Sequence, residues 1–267
     1  MEQEHQIHKF SNKLLQKSVF KHLKTYIQWR MGEREIKSDD FSPISINLDL
    51  TTACNYQCDH CIDKELLNTS QILNFDYIKT LIINWRKGGL KSVILIGGGE
   101  PTIYPYFEEV VKFLKNLSLQ AGIVSNGSLI EKIKNICNLL NQRDWIRFSL
   151  DAGTNESFQK IHRPRLNITL ERILQNVKEM HKTNPVLQIG FSFLIIGDNK
   201  YVNSIPLINN IKEISLAAKA AKENGFSYLS LKPFICPEGE RVTEMSDKNL
   251  QEIKKQIREA KKFEDEY

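Results

Sequence analysis

The sequence predicts an α/β fold of six β/α units, and three observations predict it. Short apolar runs alternate along the whole chain with stretches whose apolar residues recur at helical spacing. The apolar runs read as strands covered on both faces, the pattern of a parallel sheet joined by right-handed crossovers. The length of 267 residues suits an α/β barrel and is long for one ordinary domain. Two architectures satisfy these observations: an open doubly wound sheet, or a barrel with fewer than eight units. No sequence repeat accompanies the alternation.

The elements follow in order. Residues 9–30 read as an amphipathic helix, with Phe10, Leu14, Leu15, Val19, Leu23 and Ile27 on one stripe. Lys9, Lys13, Lys17, Lys21 and Lys24 form a basic row that reads as a solvated face. A polar connector over 32–43 closes this N-terminal part, and 44–267 forms the main domain. The first strand is 44–50. Phe75, Ile78, Leu81, Ile82 and Trp85 mark a helix that stops at Gly88-Gly89. Strands follow at 92–96, 121–125, 145–150, 188–196 and 227–231. Between them lie helices marked by Phe107, Val110, Val111 and Leu114, and by Ile133, Ile136, Cys137 and Leu140. A further helix carries Leu170, Ile173, Leu174 and Val177 behind a Thr169 cap, and another runs from 211 to 221 with Gly225 as its stop. Ser246 caps a last helix through Leu250, Ile253 and Ile257.

Composition narrows the function. A net charge of +5 is modest and does not by itself suggest nucleic acid, which usually shows as a concentrated basic patch. No apolar run is long enough to cross a bilayer, and the polar N-terminus lacks a signal-peptide core. A cytoplasmic protein with neither membrane nor nucleic acid as partner is expected. Of five cysteines, three lie within eight residues, which is no secreted disulfide framework and suits metal binding.

The unusual residues fall at the C-terminal ends of the predicted strands, where such folds build their sites. The first strand leads to Cys54, Cys58 and Cys61. The second leads to Gly97-Gly98-Gly99-Glu100-Pro101, and the third ends at Ser125-Asn126-Gly127. The fourth ends in Ser149-Leu150-Asp151, the fifth in Gly197-Asp198-Asn199, and the sixth in Lys232-Pro233 before Cys236. Three thiolates can hold three irons of a cubane cluster and leave one open. Zinc competes for the same thiolates, with His60 as a fourth ligand. The glycines allow close backbone approach to a ligand or form a tight turn, and they lack the dinucleotide-binding spacing. Glu100 could accept from an ammonium group. Asp151 could accept from ribose hydroxyls, or cap a helix or turn at Thr154-Asn155-Glu156.

Together these residues resemble the radical S-adenosylmethionine (radical SAM) superfamily. Cys54, Cys58 and Cys61 have its C-x-x-x-C-x-x-C spacing after the first strand. Gly98-Gly99-Glu100-Pro101 matches its second signature after strand two, and the agreement extends over 44 to about 235. The resemblance implies a partial (β/α)6 TIM-like barrel of parallel strands, here with an N-terminal helical extension. It implies that the three cysteines ligate a [4Fe-4S] cluster whose fourth iron takes the methionine end of S-adenosyl-L-methionine. It implies that Gly98, Gly99 and Glu100 meet the amino group, and that His60 stands where the backbone meets adenine. Ser149 and Asp151 match a ribose or methionine contact, and Ser125 and Asn126 a position near the same ligand. Arg163 resembles an arginine that pairs with the methionine carboxylate; otherwise it is a surface residue. The implied reaction is reductive cleavage to a 5′-deoxyadenosyl radical that abstracts hydrogen, fed by an external one-electron reductant such as flavodoxin or ferredoxin.

Cys137 reads as a core thiol. Cys236 could donate hydrogen to a product radical or be a loop thiol. One cysteine cannot hold an auxiliary cluster, which favours redox-neutral chemistry on a small-molecule substrate, a sugar, nucleoside or biosynthetic intermediate. A ribosomal peptide is the second candidate, and a zinc-stabilised binding module the alternative from another class.

Overall fold

The computed structural model describes residues 15–37, 40–198, 200–202, 204–235 and 245–265. Helix α1 (Lys17–Arg30) corresponds to the predicted helix over 9–30, of which 9–14 lie outside the described residues. Its apolar stripe is not a core face: Leu23 and Ile27 are exposed, and Thr25 is its buried residue. The helix touches the main domain through small groups, and a Cβ on Gly89 would stand 2.7 Å from the Ser18 Cβ.

Six strands pair parallel in chain order: β1 (Ser45–Leu48), β2 (Ser92–Leu95), β3 (Gln120–Ser125), β4 (Trp145–Ser149), β5 (Gln188–Ile195) and β8 (Tyr228–Pro233). A small antiparallel ribbon, β6 (Tyr201–Val202) and β7 (Ile205–Pro206), interrupts the last connection. This order decides between the two architectures. A doubly wound sheet reverses its strand order at a switch point. Here the order never reverses, so right-handed crossovers carry every helix to the same face. The sheet curves into a partial (β/α)6 barrel. The helices that cover it are α2 (Phe75–Gly88), α3 (Phe107–Asn116), α4 (Ile130–Ile136), α5 (Asn155–His162), α6 (Leu170–Thr183), α7 (Ile214–Glu223) and α8 (Asp247–Ala260). None of the described helices is long and apolar enough to cross a membrane.

The expectation that strands are apolar on both faces needs correction. Successive side chains point to opposite faces. The outward set (Val93, Leu95, Ile123, Ile146, Phe148, Ile189, Phe191 and Phe193) is fully buried against the helices. The inward set lines a lumen and includes Asn47, Arg147, Ser149, Ser192 and Lys232, all of them partly or fully exposed. A barrel of six strands does not close, so its inner face keeps water and polar groups.

Most capping follows the local sequence. Thr169 accepts the Arg172 amide at the start of α6, Ser246 accepts that of Asn249 at α8, and Gly89 ends α2 at φ +122°. Cys137 is buried in the core, as expected. Helix α5 is expected from the sequence only as a helix or turn after Asp151; its cap is Thr154 and not Asp151, and its eight residues carry a single apolar pair. It is nucleated by Thr154, whose hydroxyl accepts the Ser157 amide, and held down by buried Phe158 and Ile161.

Candidate active site

The strand ends enclose a cavity of about 460 Å³. Its walls include Cys54, Cys58 and Cys61 after β1, Gly97 and Glu100 after β2, and Ser125 and Asn126 at the end of β3. Ser149 and Asp151 at the end of β4, Ser192 and Leu194 of β5, His162 of α5, and Pro233, Phe234 and Ile235 at the end of β8 complete it. The ends of all six parallel strands therefore share one chamber.

The cysteine loop is fixed from beneath. The Glu100 amide donates to the Ala53 carbonyl at 2.8 Å, and a Cβ on Gly99 would lie 2.2 Å from that same oxygen. Any side chain at 99 would push the loop off its support. Gly97 adopts φ +98° over the Asp49 carboxylate, whereas a Cβ on Gly98 would meet only ordinary contacts, the nearest at 3.7 Å. Two of the three glycines are thus required by packing. Tyr56 anchors the loop as a fully buried ring against Phe158 and His162. The Gln57 amide donates to the His162 carbonyl, and the Arg165 amide to that of Asn55.

The thiols test what the loop can hold. Burial pushes Cys54 and Cys61 above the ordinary thiol range and Cys58 well above it, with neighbouring negative charge adding to the push. Three thiolates are unstable here unless a cationic group joins them. The fourth described cysteine, Cys137, is buried in the core outside this cavity. A three-thiol set facing an open chamber fits an iron–sulfur cluster with one unprotected iron.

Glu100 is 3% exposed and built into a donor cage. Its Oε1 accepts from the Thr102 amide (3.1 Å), the Thr102 hydroxyl (2.6 Å) and the Ser125 hydroxyl (2.8 Å). Its Oε2 accepts from the Asn126 amide at 2.7 Å. Burial raises its pKa while these donors oppose the rise. Oε2 keeps room for one further donor from the cavity. Asn126 also donates from Nδ2 to the Asn55 side chain at 3.0 Å, tying β3 to the cysteine loop.

On the opposite wall stands a group the sequence reading missed. His162, at the end of α5, is buried; its Nε2 lies 2.9 Å from the Leu150 carbonyl and its Nδ1 3.2 Å from Cys58 Sγ. The carbonyl requires a proton on Nε2, which leaves Nδ1 as an acceptor toward the thiol. Burial lowers its pKa to about 4, so the ring is neutral at pH 7. The signal that could have found it is the Thr154 cap followed by Phe158 and Ile161 three residues apart.

Asp151 sits at φ +49°, in the left-handed region, and is 4% exposed. Its Oδ1 accepts the Leu194 amide at 2.7 Å, and its Oδ2 faces His60 Nε2 at 3.2 Å. Burial works to raise its pKa, but the His60 hydrogen bond and the nearby histidines outweigh it, and the net shift is downward. The carboxylate is therefore engaged with protein donors, and its first effect is to orient His60. His60 is turned to Asp151 and not to the thiols as a fourth ligand. The donor atoms of Cys58, His60 and His162 do lie within 4.8 Å of one another, but that set omits Cys54 and Cys61.

Arg163 caps α5 at φ +44° and pairs with Asp59 at 2.6 Å; it is absent from the residues that line the cavity. Ser149 faces the cavity from β4. Cys236 and Asn199 lie outside the described residues.

Comparison with known proteins agrees with this geometry. The sequence profile of the radical SAM superfamily matches residues 48–201, more than half of the chain. The S-adenosylmethionine-dependent nucleotide dehydratase of Thermoplasmatales archaeon (strain ISO4-H5) is 33% identical over 138 residues, covering 52% of this chain and 48% of that protein. The probable GTP 3′,8-cyclase of Saccharolobus solfataricus is 28% identical over 192 residues, covering 67% of this chain and 60% of that protein. The chain thus spans about half to three-fifths of the length of these relatives. Among solved structures, Streptococcus suis SuiB bound to its precursor peptide SuiA superposes with a TM-score of 0.63 at 14% identity, covering 90% of this chain and 51% of SuiB. That likeness is one of fold.

Proposed function

The chain belongs to the radical SAM superfamily, with a [4Fe-4S] cluster and S-adenosylmethionine as its cofactors, and from that premise we propose an enzyme that cleaves S-adenosylmethionine reductively to act on a nucleotide-class small molecule. The observation that carries the reading is the single chamber that joins three thiols to the Glu100 cage and the Asp151–His60 pair. Cys54, Cys58 and Cys61 would hold the cluster. When bound, the cluster supplies one electron and S-adenosylmethionine a hydrogen-abstracting 5′-deoxyadenosyl group.

The chain's own residues position and shield. Glu100 Oε2 would accept from the methionine amino group, with Ser125 and Asn126 keeping that carboxylate in place. Asp151 orients His60, which would meet the adenosine end. Val124, Leu194 and Phe234 give the chamber apolar wall that excludes water from the reacting centre. Ser149, Ser192 and Ser230 stand in register on β4, β5 and β8, a rung of hydroxyls suited to a polar, hydroxyl-bearing substrate. The names of the nucleotide dehydratase and GTP cyclase relatives support the same substrate class. A flavodoxin or ferredoxin would supply the electron.

The test is anaerobic reconstitution with iron and sulfide, reduction with dithionite, and chromatography for 5′-deoxyadenosine after adding S-adenosylmethionine. Wild-type protein should form it and a Cys58→Ala variant should not. Equal background from both would refute the proposal.

A further inference from the structure

Two cations stand on the inward face of the sheet, and among the described residues no carboxylate pairs with either. Arg147 lies on the inward face of β4, in register with Gly190 and Tyr228 and beside Val124 of β3. The rung is shaped for it. A Cβ on Gly190 would fall 2.2 Å from the Tyr228 ring, and one on Gly122 2.5 Å from the Trp145 ring. The two glycines let both aromatic rings lie across the inner face of the sheet. The Arg147 guanidinium sits over the Trp145 ring, 5.6 Å from its centroid. Lys232 projects from β8 opposite Leu194, a residue of the cofactor chamber.

Stacking on Trp145 accounts for one face of the guanidinium but not for its donors. Arg147 Nε is buried without a hydrogen-bond partner among the described residues. Buried donors are almost always paired, and an unpaired one asks for a partner from outside the chain. No carboxylate among the described residues forms an ion pair with either cation. Asp49, the acid at the inner end of β1, is turned to the Gly98 amide. The Arg147 charge pushes the Lys232 pKa down, so the two cations feel each other directly. Two unneutralised cations that share a wall lower their mutual repulsion by taking an anion of at least two charges. A planar fork of donors beside a flexible ammonium suits phosphate oxygens.

We propose that Arg147 and Lys232 form the subsite for the phosphate end of the substrate, beneath the chamber that holds the cofactors. The proposal rests on the nucleotide-class reading above and names the part of the molecule that the lumen recognises.

The test is calorimetric titration of the anaerobically reconstituted protein with guanosine triphosphate, guanosine, tripolyphosphate and succinate. Guanosine triphosphate and tripolyphosphate should bind, both weakening as salt rises. Arg147→Gln and Lys232→Gln should each weaken the triphosphate by roughly 10- to 100-fold, the range of a lost charge-assisted hydrogen bond. Both variants should leave guanosine unaffected, and Arg147→Lys should recover part of the loss. Should Arg147→Gln fail to fold, the exposed Lys232→Gln carries the test. Binding of tripolyphosphate alone still supports the anion subsite. The proposal is overturned if neither phosphate compound binds, if succinate binds as tightly as tripolyphosphate, or if the folded variants bind like wild type. Formation of 5′-deoxyadenosine in the same wild-type preparation separates this failure from failure of the cofactor reading.

Discussion

His162 shows how one buried side chain links the acid–base state of the site to the stability of the fold. Its pKa is lowered from 6.5 to about 4, chiefly because burial disfavours the charged ring. Between those values the unfolded chain binds a proton that the folded chain refuses. The stabilisation is therefore fully present above pH 6.5 and is lost as pH falls through 4, with a full extent on the order of 3 kcal/mol. Cluster-free protein should show a denaturant midpoint that drops across this window, and His162→Phe should flatten the slope. An unchanged slope in the variant would assign the acid sensitivity elsewhere. Asp151, whose pKa is lowered, contributes only at pH values below this range. At this scale the sequence was partly legible. The spacing of Cys54, Cys58 and Cys61 and the Gly98–Pro101 stretch pointed to the chamber that the structure builds from them. Arg163 pairs with Asp59, while its neighbour His162 makes the contact with Cys58.

Helix α5 delivers His162, and its geometry depends on a residue far along the chain. Glu213 Oε2 accepts the Gly153 amide at 2.7 Å and the Thr154 amide at 3.1 Å, and Oε1 accepts the hydroxyls of Thr154 and Ser157. A carboxylate at this end also meets the positive pole of the helix. Glu213→Ala should cost roughly 1–3 kcal/mol by leaving those donors unmet. Hydrogen exchange should quicken in α5 while α6 keeps its protection; uniform quickening would mean global destabilisation instead. The longer helices were legible because each repeats its apolar residues over at least two turns. Helix α5 was legible only as a helix or turn after Asp151, since its eight residues give a single apolar pair and its strongest anchor, Glu213, is 59 residues from Thr154. Helix α1 fails in the opposite sense: its period predicts an apolar face that the described residues do not cover.

Across the whole molecule, the unreversed order of the six-stranded sheet sends every strand end to one rim and every helix to the outside. Cofactor binding to that rim should therefore stabilise the barrel as a unit. At a hundredfold excess over its dissociation constant, S-adenosylmethionine should add about 2.7 kcal/mol. The melting temperature should rise in reconstituted protein and not in cluster-free protein. An equal rise in both would mean that the cluster contributes nothing to holding the ligand. The sequence by itself determined the six β/α units and the chemistry at their C-terminal ends, because apolar period, caps and motif spacing are local properties of a chain. The motif resemblance already implied the partial barrel, and only the tertiary structure decided that its lumen is polar. It also decided that His162 meets Cys58, that Glu213 caps α5, and that Arg147 and Lys232 share a wall. Those relations depend on strand order, register and curvature, which join residues that no local pattern connects.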